Sequence, residues 1–249
     1  MNINDVRIVL VATSHPGNIG SAARAMKAMG LSRLYLVAPS SFPDKVASAL
    51  AVGADDILQG AIVTDCLSAA ISDCHLVIAT SARRRDLELQ CLSPREMAAT
   101  VATHADNTEV AIVFGREHAG LTNDELLQAH FHVTIPSVST FSSLNLAQAV
   151  QVIAYELRMC VLDPVADLAE LQENRATMEE IEQFHAHLRD VLIAIDFLKP
   201  SNPRKLLQRL RRLFNRAQLE HVEVNILRGF LTQVQATINK NNGALSHEE

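Results

Sequence analysis

The sequence predicts an α/β fold, with a mostly parallel sheet followed by a small all-α C-terminal extension. Three observations predict it. Over the first 160 residues, short apolar runs alternate with helical stretches, the pattern of strand–helix units. After Asp163-Pro164 the strand-like runs stop, and an acidic stretch gives way to helical periodicity. The apolar complement is aliphatic, since hydrophobic residues make up 48% of the chain, aromatics only 4%, and Trp is absent. Buried parallel strands are built of such residues.

Val6–Val11 is a β-branched run and reads as a buried strand. Ile19–Met29 is Ala- and Met-rich and reads as a helix, stopped by Gly30. Strands are expected at Leu34–Val37, Ile62–Val63, His75–Ala79, Glu109–Phe114 and His132–Ile135. Helices are expected at Lys45–Ala51, Asp65–Ala70, Pro94–Thr103 and Asn123–Leu127, with a long one over Leu144–Val161. Past the break, Met178–Phe197 places Ile181, Phe184, Leu188, Leu192 and Ile195 at helical spacing. Ser201-Asn202-Pro203 is a helix-start signal for Arg204–Arg216, and Glu220–Lys240 is a further helix. This divides the chain into 1–162, a linker over 163–177, and a helical extension over 178–249.

The formal net charge is −6, but its distribution is uneven. Residues 163–196 carry nine acidic and two basic side chains, whereas 199–216 carry seven basic and none acidic. One strongly basic segment inside an acidic protein is a candidate nucleic-acid contact. The four cysteines form neither a C-x-x-C pair nor a zinc pattern with histidine, so they read as small buried hydrophobes in a reducing cytosol. His130-x-His132 and His185-x-His187 lack a third ligand, and no metal is expected. No signal peptide or membrane span is evident, so a cytoplasmic protein is expected.

Four unusual loops, Thr13–Gly20, Thr80–Arg85, Gly115–Gly120 and Pro136–Asn145, fall at carboxyl ends of the expected strands, where α/β sheets bind ligands. Thr13-Ser14-His15-Pro16-Gly17-Asn18-Ile19-Gly20 joins a strand to a helix N-terminus, a position suited to anions. It is neither a Walker loop nor a dinucleotide fingerprint. Arg24 follows Gly20 by one turn; alone it reads as a surface salt bridge. Gly115-Arg116-Glu117-His118-Ala119-Gly120-Leu121 follows the Glu109–Phe114 strand, and alone it reads as a turn. Ile135-Pro136 leads through a polar loop to Ser142-Ser143-Leu144-Asn145. Ser142 or Ser143 suits a helix cap, while Asn145, read as just inside the helix, has no evident structural reason.

Taken in order, Asn18-x-Gly20-x-x-x-Arg24, then G-x-E-x-x-G-L, then I-P…S-S-L-N resemble the three motifs of the SPOUT methyltransferases. The match covers about residues 5–160. The resemblance implies a sheet whose C-terminal part forms a trefoil knot, and dimers formed through the knot. The helical extension, with its Arg-rich helix and Asn225-Ile-Leu-Arg-Gly229, narrows the resemblance. It points to members that 2′-O-methylate cytidine or uridine 32 in the tRNA anticodon loop.

By that resemblance, S-adenosylmethionine is bound by Thr80, Ser81, Ala82, Gly115, Ile135, Ser142, Ser143 and Leu144. Arg24 maps to the family's catalytic arginine, with Asn18, Glu117 and Asn145 positioning it and the ribose. Arginine is not deprotonated in proteins, so Arg24 is expected as a clamp on phosphate and developing alkoxide. Arg83, Arg84 and Arg85 follow the cofactor loop. With Arg204, Lys205, Arg209, Arg211, Arg212 and Arg216 they are the expected RNA-phosphate contacts. The rival readings are the same chemistry on another tRNA or rRNA position, a non-catalytic RNA-binding protein on the same fold, and a nucleotide-binding α/β regulator without methyl transfer, against which the absent Walker and dinucleotide patterns count.

Overall fold

Seven strands form the sheet: β1 (Val6–Val11), β2 (Arg33–Val37), β3 (Ile62–Thr64), β4 (Leu76–Thr80), β5 (Cys91–Leu92), β6 (Val110–Phe114) and β7 (Phe131–Val133). The computed structural model describes residues 2–81, 90–103, 108–138, 140, 143–162, 175–199 and 204–245, and for 204–205 and 241–245 the backbone alone. The strand order is β3-β2-β1-β6-β4-β7-β5, and every pairing is parallel. All six residues of β1 are buried, as are all five of β6. Val6, Ile8 and Leu10 join the main core with Ile112, Phe114, Leu34, Leu36, Leu76 and Ile78. Their strict alternation places them on one face of the sheet.

That face is covered by α1 (Pro16–Met29), α5 (Pro94–Ala102) and α7 (Leu146–Leu162), which contribute the helical half of the same core. α1 packs against α7 and against α2 (Lys45–Ala51). Gly30 ends α1 in the left-handed conformation at φ 83°, the conformation that favours glycine. The short helices α3 (Asp55–Gln59), α4 (Leu67–Ile71) and α6 (Asn123–Leu126) complete the connections.

β7 is the last strand in sequence, yet it lies between β4 and β5. The knot is expected in the C-terminal part of this sheet; residues 82–89, between β4 and β5, lie outside the described residues. Most of the expected linker, 163–174, also lies outside them, as does the Ser201-Asn202-Pro203 cap.

By internal contacts the chain divides into Met1–Glu173 and Asn174–Glu249. The second unit is helical: α8 (Met178–Ala194), α9 (Arg204–Ala217) and α10 (His221–Leu245). α8 opens with a capping box between Thr177 and Glu180. Phe184 anchors the core of this unit and meets Phe214 edge-on, with ring centroids 4.8 Å apart. His185 is buried beside them, and burial pushes its imidazole down to about 4. No helix among the described residues is long and apolar enough to cross a membrane.

Candidate active site

The loops after β1 and β6 and the start of α7 are joined by one chain of hydrogen bonds. Glu117, in the turn after β6, receives four of them. The Ser14 amide and hydroxyl donate to Oε2 at 3.1 and 3.0 Å. The His15 amide donates to Oε1 at 3.2 Å, and Asn18 Nδ2 at 2.9 Å. Asn18 Oδ1 in turn accepts from Asn145 Nδ2 at 2.9 Å. Asn145 Oδ1 accepts from the Ala147 amide at 2.9 Å and the Gln148 amide at 3.4 Å. Partial burial of Glu117 works against ionisation, but the donors from Asn18 and Ser14 outweigh it and hold the carboxyl down to about 2.

Two expectations change here. The sequence makes the N-terminus of α1 an anion site for a ligand; in the structure its anion is the protein's own Glu117 carboxylate. Asn145 does have a structural reason, because it caps α7, which begins at Leu146. Ser142 lies outside the described residues. α1 also begins earlier than expected, at Pro16, with His15 as its N-cap.

The glycines serve close packing of the chain on itself. A Cβ on Gly115 would lie 2.3 Å from the Gly120 carbonyl carbon, and one on Gly20 would lie 2.0 Å from the Ala47 carbonyl oxygen. The Gly115–Gly120 turn is closed by paired backbone bonds between Arg116 and Gly120, and by Arg116 gripping Glu125 at 2.9 and 3.1 Å.

Beside this network opens a cavity of about 180 Å³. Of the eight expected cofactor residues, Thr80, Ser81, Gly115, Ile135, Ser143 and Leu144 line it. Ala82 and Ser142 lie outside the described residues. Glu117 and His118 are in the wall, and Phe114, Val133, Leu146 and Ala149 supply apolar surface. Sequence reasoning does not single out these four apolar residues; their positions, next to the motifs and facing the core, are the available signal. Arg24 is exposed on α1, with no ion pair or hydrogen bond among the described residues.

The expected RNA contacts divide. Arg83, Arg84 and Arg85 lie outside the described residues, and the side chains of Arg204 and Lys205 are not described. Arg209 and Arg216 are exposed on α9. Arg211 instead forms a two-pronged ion pair with Glu182 of α8, one arm of it at 2.8 Å. Arg212 is half-buried and also has an interaction partner. His130 accepts the Val77 amide on Nδ1 at 3.0 Å, tying the start of β7 to β4. Among the described residues, no group of three His, Cys, Asp or Glu is placed to hold a metal ion.

Residues 5–155 match the SpoU rRNA methylase family, and 179–243 match the C-terminal domain of the tRNA methyltransferase TrmJ. The tRNA (cytidine/uridine/adenosine-2′-O-)-methyltransferase TrmJ of Pseudomonas aeruginosa is 51% identical over 94% of this chain and 95% of its own. The tRNA (cytidine/uridine-2′-O-)-methyltransferase TrmJ of Pectobacterium atrosepticum is 49% identical over 94% of this chain and 98% of its own. The crystal structure of TrmJ from Z. mobilis superposes with a TM-score of 0.82 at 35% identity, covering 92% of this chain and 98% of that one. With both units matched, the chain belongs to the SpoU rRNA methylase family.

Proposed function

We propose that this protein methylates the ribose 2′-hydroxyl of cytidine or uridine at position 32 of the tRNA anticodon loop, using S-adenosylmethionine, as a cytoplasmic homodimer. The observation that carries the reading is convergence. Three motifs far apart in sequence meet in the Glu117–Asn18–Asn145 chain, on the edge of the cavity. The full-length likeness to tRNA 2′-O-methyltransferases supplies the substrate class.

The cavity fits the cofactor. Phe114, Val133, Ile135 and Leu144 offer apolar surface to a purine, and Thr80 and Ser81 offer hydroxyls. The ionised Glu117 carboxylate in the wall suits a cationic ligand. When bound, S-adenosylmethionine supplies a methyl group already activated on a sulfonium. The chain's task is then to place and deprotonate the ribose oxygen. Arg24, unpaired among the described residues and permanently charged, is suited to hold the adjacent phosphate and stabilise the developing alkoxide. Exposed Tyr155, Met159 and Leu162 recur at helical spacing on α7 and support a partner-facing surface.

Labelled S-adenosylmethionine and unmodified tRNA, followed by mapping of the modified nucleotide, test the reading. A 2′-O-methyl at position 32 is expected. Methylation at another tRNA position or on rRNA would move the substrate, and no transfer with either RNA would overturn the reading. Arg24→Ala is expected to all but abolish transfer, by about 10²- to 10³-fold, the size of an electrostatic stabiliser's loss. Cofactor binding measured by calorimetry should remain nearly unchanged.

A further inference from the structure

We propose that Phe197, in the turn that ends α8, is a stacking platform for an unpaired base of the RNA substrate. The inference rests on the function proposed above and adds an RNA contact within the helical unit. Aromatic side chains are scarce, at 4% of the chain, and most of those described are buried or half-buried. Among the described residues the two most exposed are Phe197 and Phe230, at 64% and 66%, and both belong to the helical unit.

The backbone holds Phe197 out. α8 ends in paired hydrogen bonds, the Asp196 amide donating to the Ile193 carbonyl and the Phe197 amide to the Leu192 carbonyl, both at 3.0 Å. Asp196 takes the left-handed conformation at φ 56°, which favours glycine. In this kind of helix ending, an apolar residue at the position of Phe197 commonly folds back on the last turn. Here the buried residue is Leu198, one position on, at 2% exposed. Its amide also donates to the Leu192 carbonyl, at 2.9 Å. Leu198 pins the chain, and Phe197 faces solvent. A fixed turn that exposes its aromatic residue at a backbone cost points to a ligand for that ring.

The surroundings decide which ligand. Exposed Lys199 lies two residues on and opens the segment 199–216, with seven basic residues and none acidic. The Ala176 amide donates to the Leu219 carbonyl at 2.9 Å, and Arg211 pairs with Glu182. These contacts put the end of α9 beside the start of α8. The two helices therefore run in opposite directions, and the basic start of α9 lies toward the end of α8 that carries Phe197. Asp196 brings one negative charge to this corner, while Asp190 is paired with Arg189. Exposed Ile193 and Ile195 extend the apolar surface next to the ring. A single strand offers phosphates to such cations and a base face to such a ring. A paired base hides its face in the stack, so the ring selects unpaired nucleotides, as in a loop. Phe230 has different company. On α10 it follows Val222 and Ile226 at four-residue spacing, and no exposed cation lies within one turn of it. That stripe lacks the charge that a phosphate requires.

The chain contains no Trp, so Phe197→Trp in the full-length protein is a single fluorescent probe at the proposed contact. Its emission should be quenched by unmodified tRNA, but not by a fully paired RNA duplex titrated to saturation. Phe230→Trp, the control, should respond to neither. Phe197→Ala should weaken tRNA binding about 5- to 150-fold, the loss of one stacked base. The slope of log affinity against log salt should not change, because no phosphate contact is lost. The melting temperature should not fall, since the ring is exposed, and the single-turnover rate at saturating tRNA should keep its wild-type value. Emission of Phe197→Trp that ignores bound tRNA, or responds equally to the duplex, overturns the proposal. So does emission that shifts with protein concentration in the absence of RNA, which would make the ring a contact between copies of this chain. Failure of the wild-type protein to methylate any tRNA would overturn the function itself. An active wild type with a silent Phe197→Trp overturns this inference alone.

Discussion

Glu117 is ionised because the structure aims four donors at it, and that has a consequence for stability. A carboxyl held at about 2 in the folded state, against an ordinary value near 4.5, stabilises the fold wherever it is ionised in both states. That holds above about pH 4.5, and the contribution is lost as pH falls toward 2. Because the side chain is partly exposed, solvent screening reduces its worth to roughly 1 kcal/mol. Glu117→Gln is therefore expected to lower urea stability at pH 7 by about that amount, with the gap narrowing toward pH 3. An equal gap at both pH values would contradict the assigned charge. Asn18, Glu117 and Asn145 are legible in the sequence through the motifs they sit in. Their bonding to one another is not, because about a hundred residues separate Asn18 from Glu117. Arg7 escapes a sequence reading for the same reason. It sits 1% exposed in an otherwise apolar strand, paired with Asp73 at 2.6 Å and Glu109 at 2.5 Å, with its guanidinium 4.4 Å from the Tyr35 ring centroid. Nothing local in Val6–Val11 announces those partners.

Two helical glycines should respond to alanine with opposite signs. In α1, a Cβ on Gly20 would run into the α2 backbone at Ala47. Helix propensity would favour alanine by about 1 kcal/mol, but backbone cannot yield as a side-chain tip can. Gly20→Ala is expected to cost a net of about 1–3 kcal/mol. In α10, nothing lies within 4 Å of the corresponding point on Gly229, so Gly229→Ala should gain up to about 1 kcal/mol. Denaturant unfolding of the two variants checks both signs, and a stabilised Gly20→Ala would refute the α1–α2 packing. Helices and strands of normal length are legible from periodicity, and most boundaries fall within two residues. The start of α1 is read three residues late, although Pro16 at the first helical turn is the same signal that correctly places Pro94. α3 and β5, of five and two residues, are not read, although the comparably short α4, α6 and β3 are.

At the scale of the whole chain, seven basic residues over 199–216 sit within a protein of net charge −6. Charge pattern makes this segment an RNA candidate, but it cannot divide its arginines. The structure does, because a guanidinium locked in a two-pronged pair is not free to release counterions from RNA. Arg211 is so locked, on Glu182, inside the helical unit. Arg209 and Arg216 are exposed. The double variant Arg209→Ala/Arg216→Ala should therefore weaken tRNA binding without unfolding the unit. It should also flatten the slope of log affinity against log salt by about 0.7–0.9 for each phosphate no longer neutralised. Arg211→Ala should act differently. It leaves Glu182 partly buried without its cation, so it should destabilise the helical unit by about 1–3 kcal/mol while changing the salt slope little. Binding titrations at several salt concentrations, with calorimetric melting of each variant, separate the two outcomes. A reduced salt slope in Arg211→Ala, with normal melting, would mean that the ion pair opens to RNA and that these arginines do not divide into locked and free.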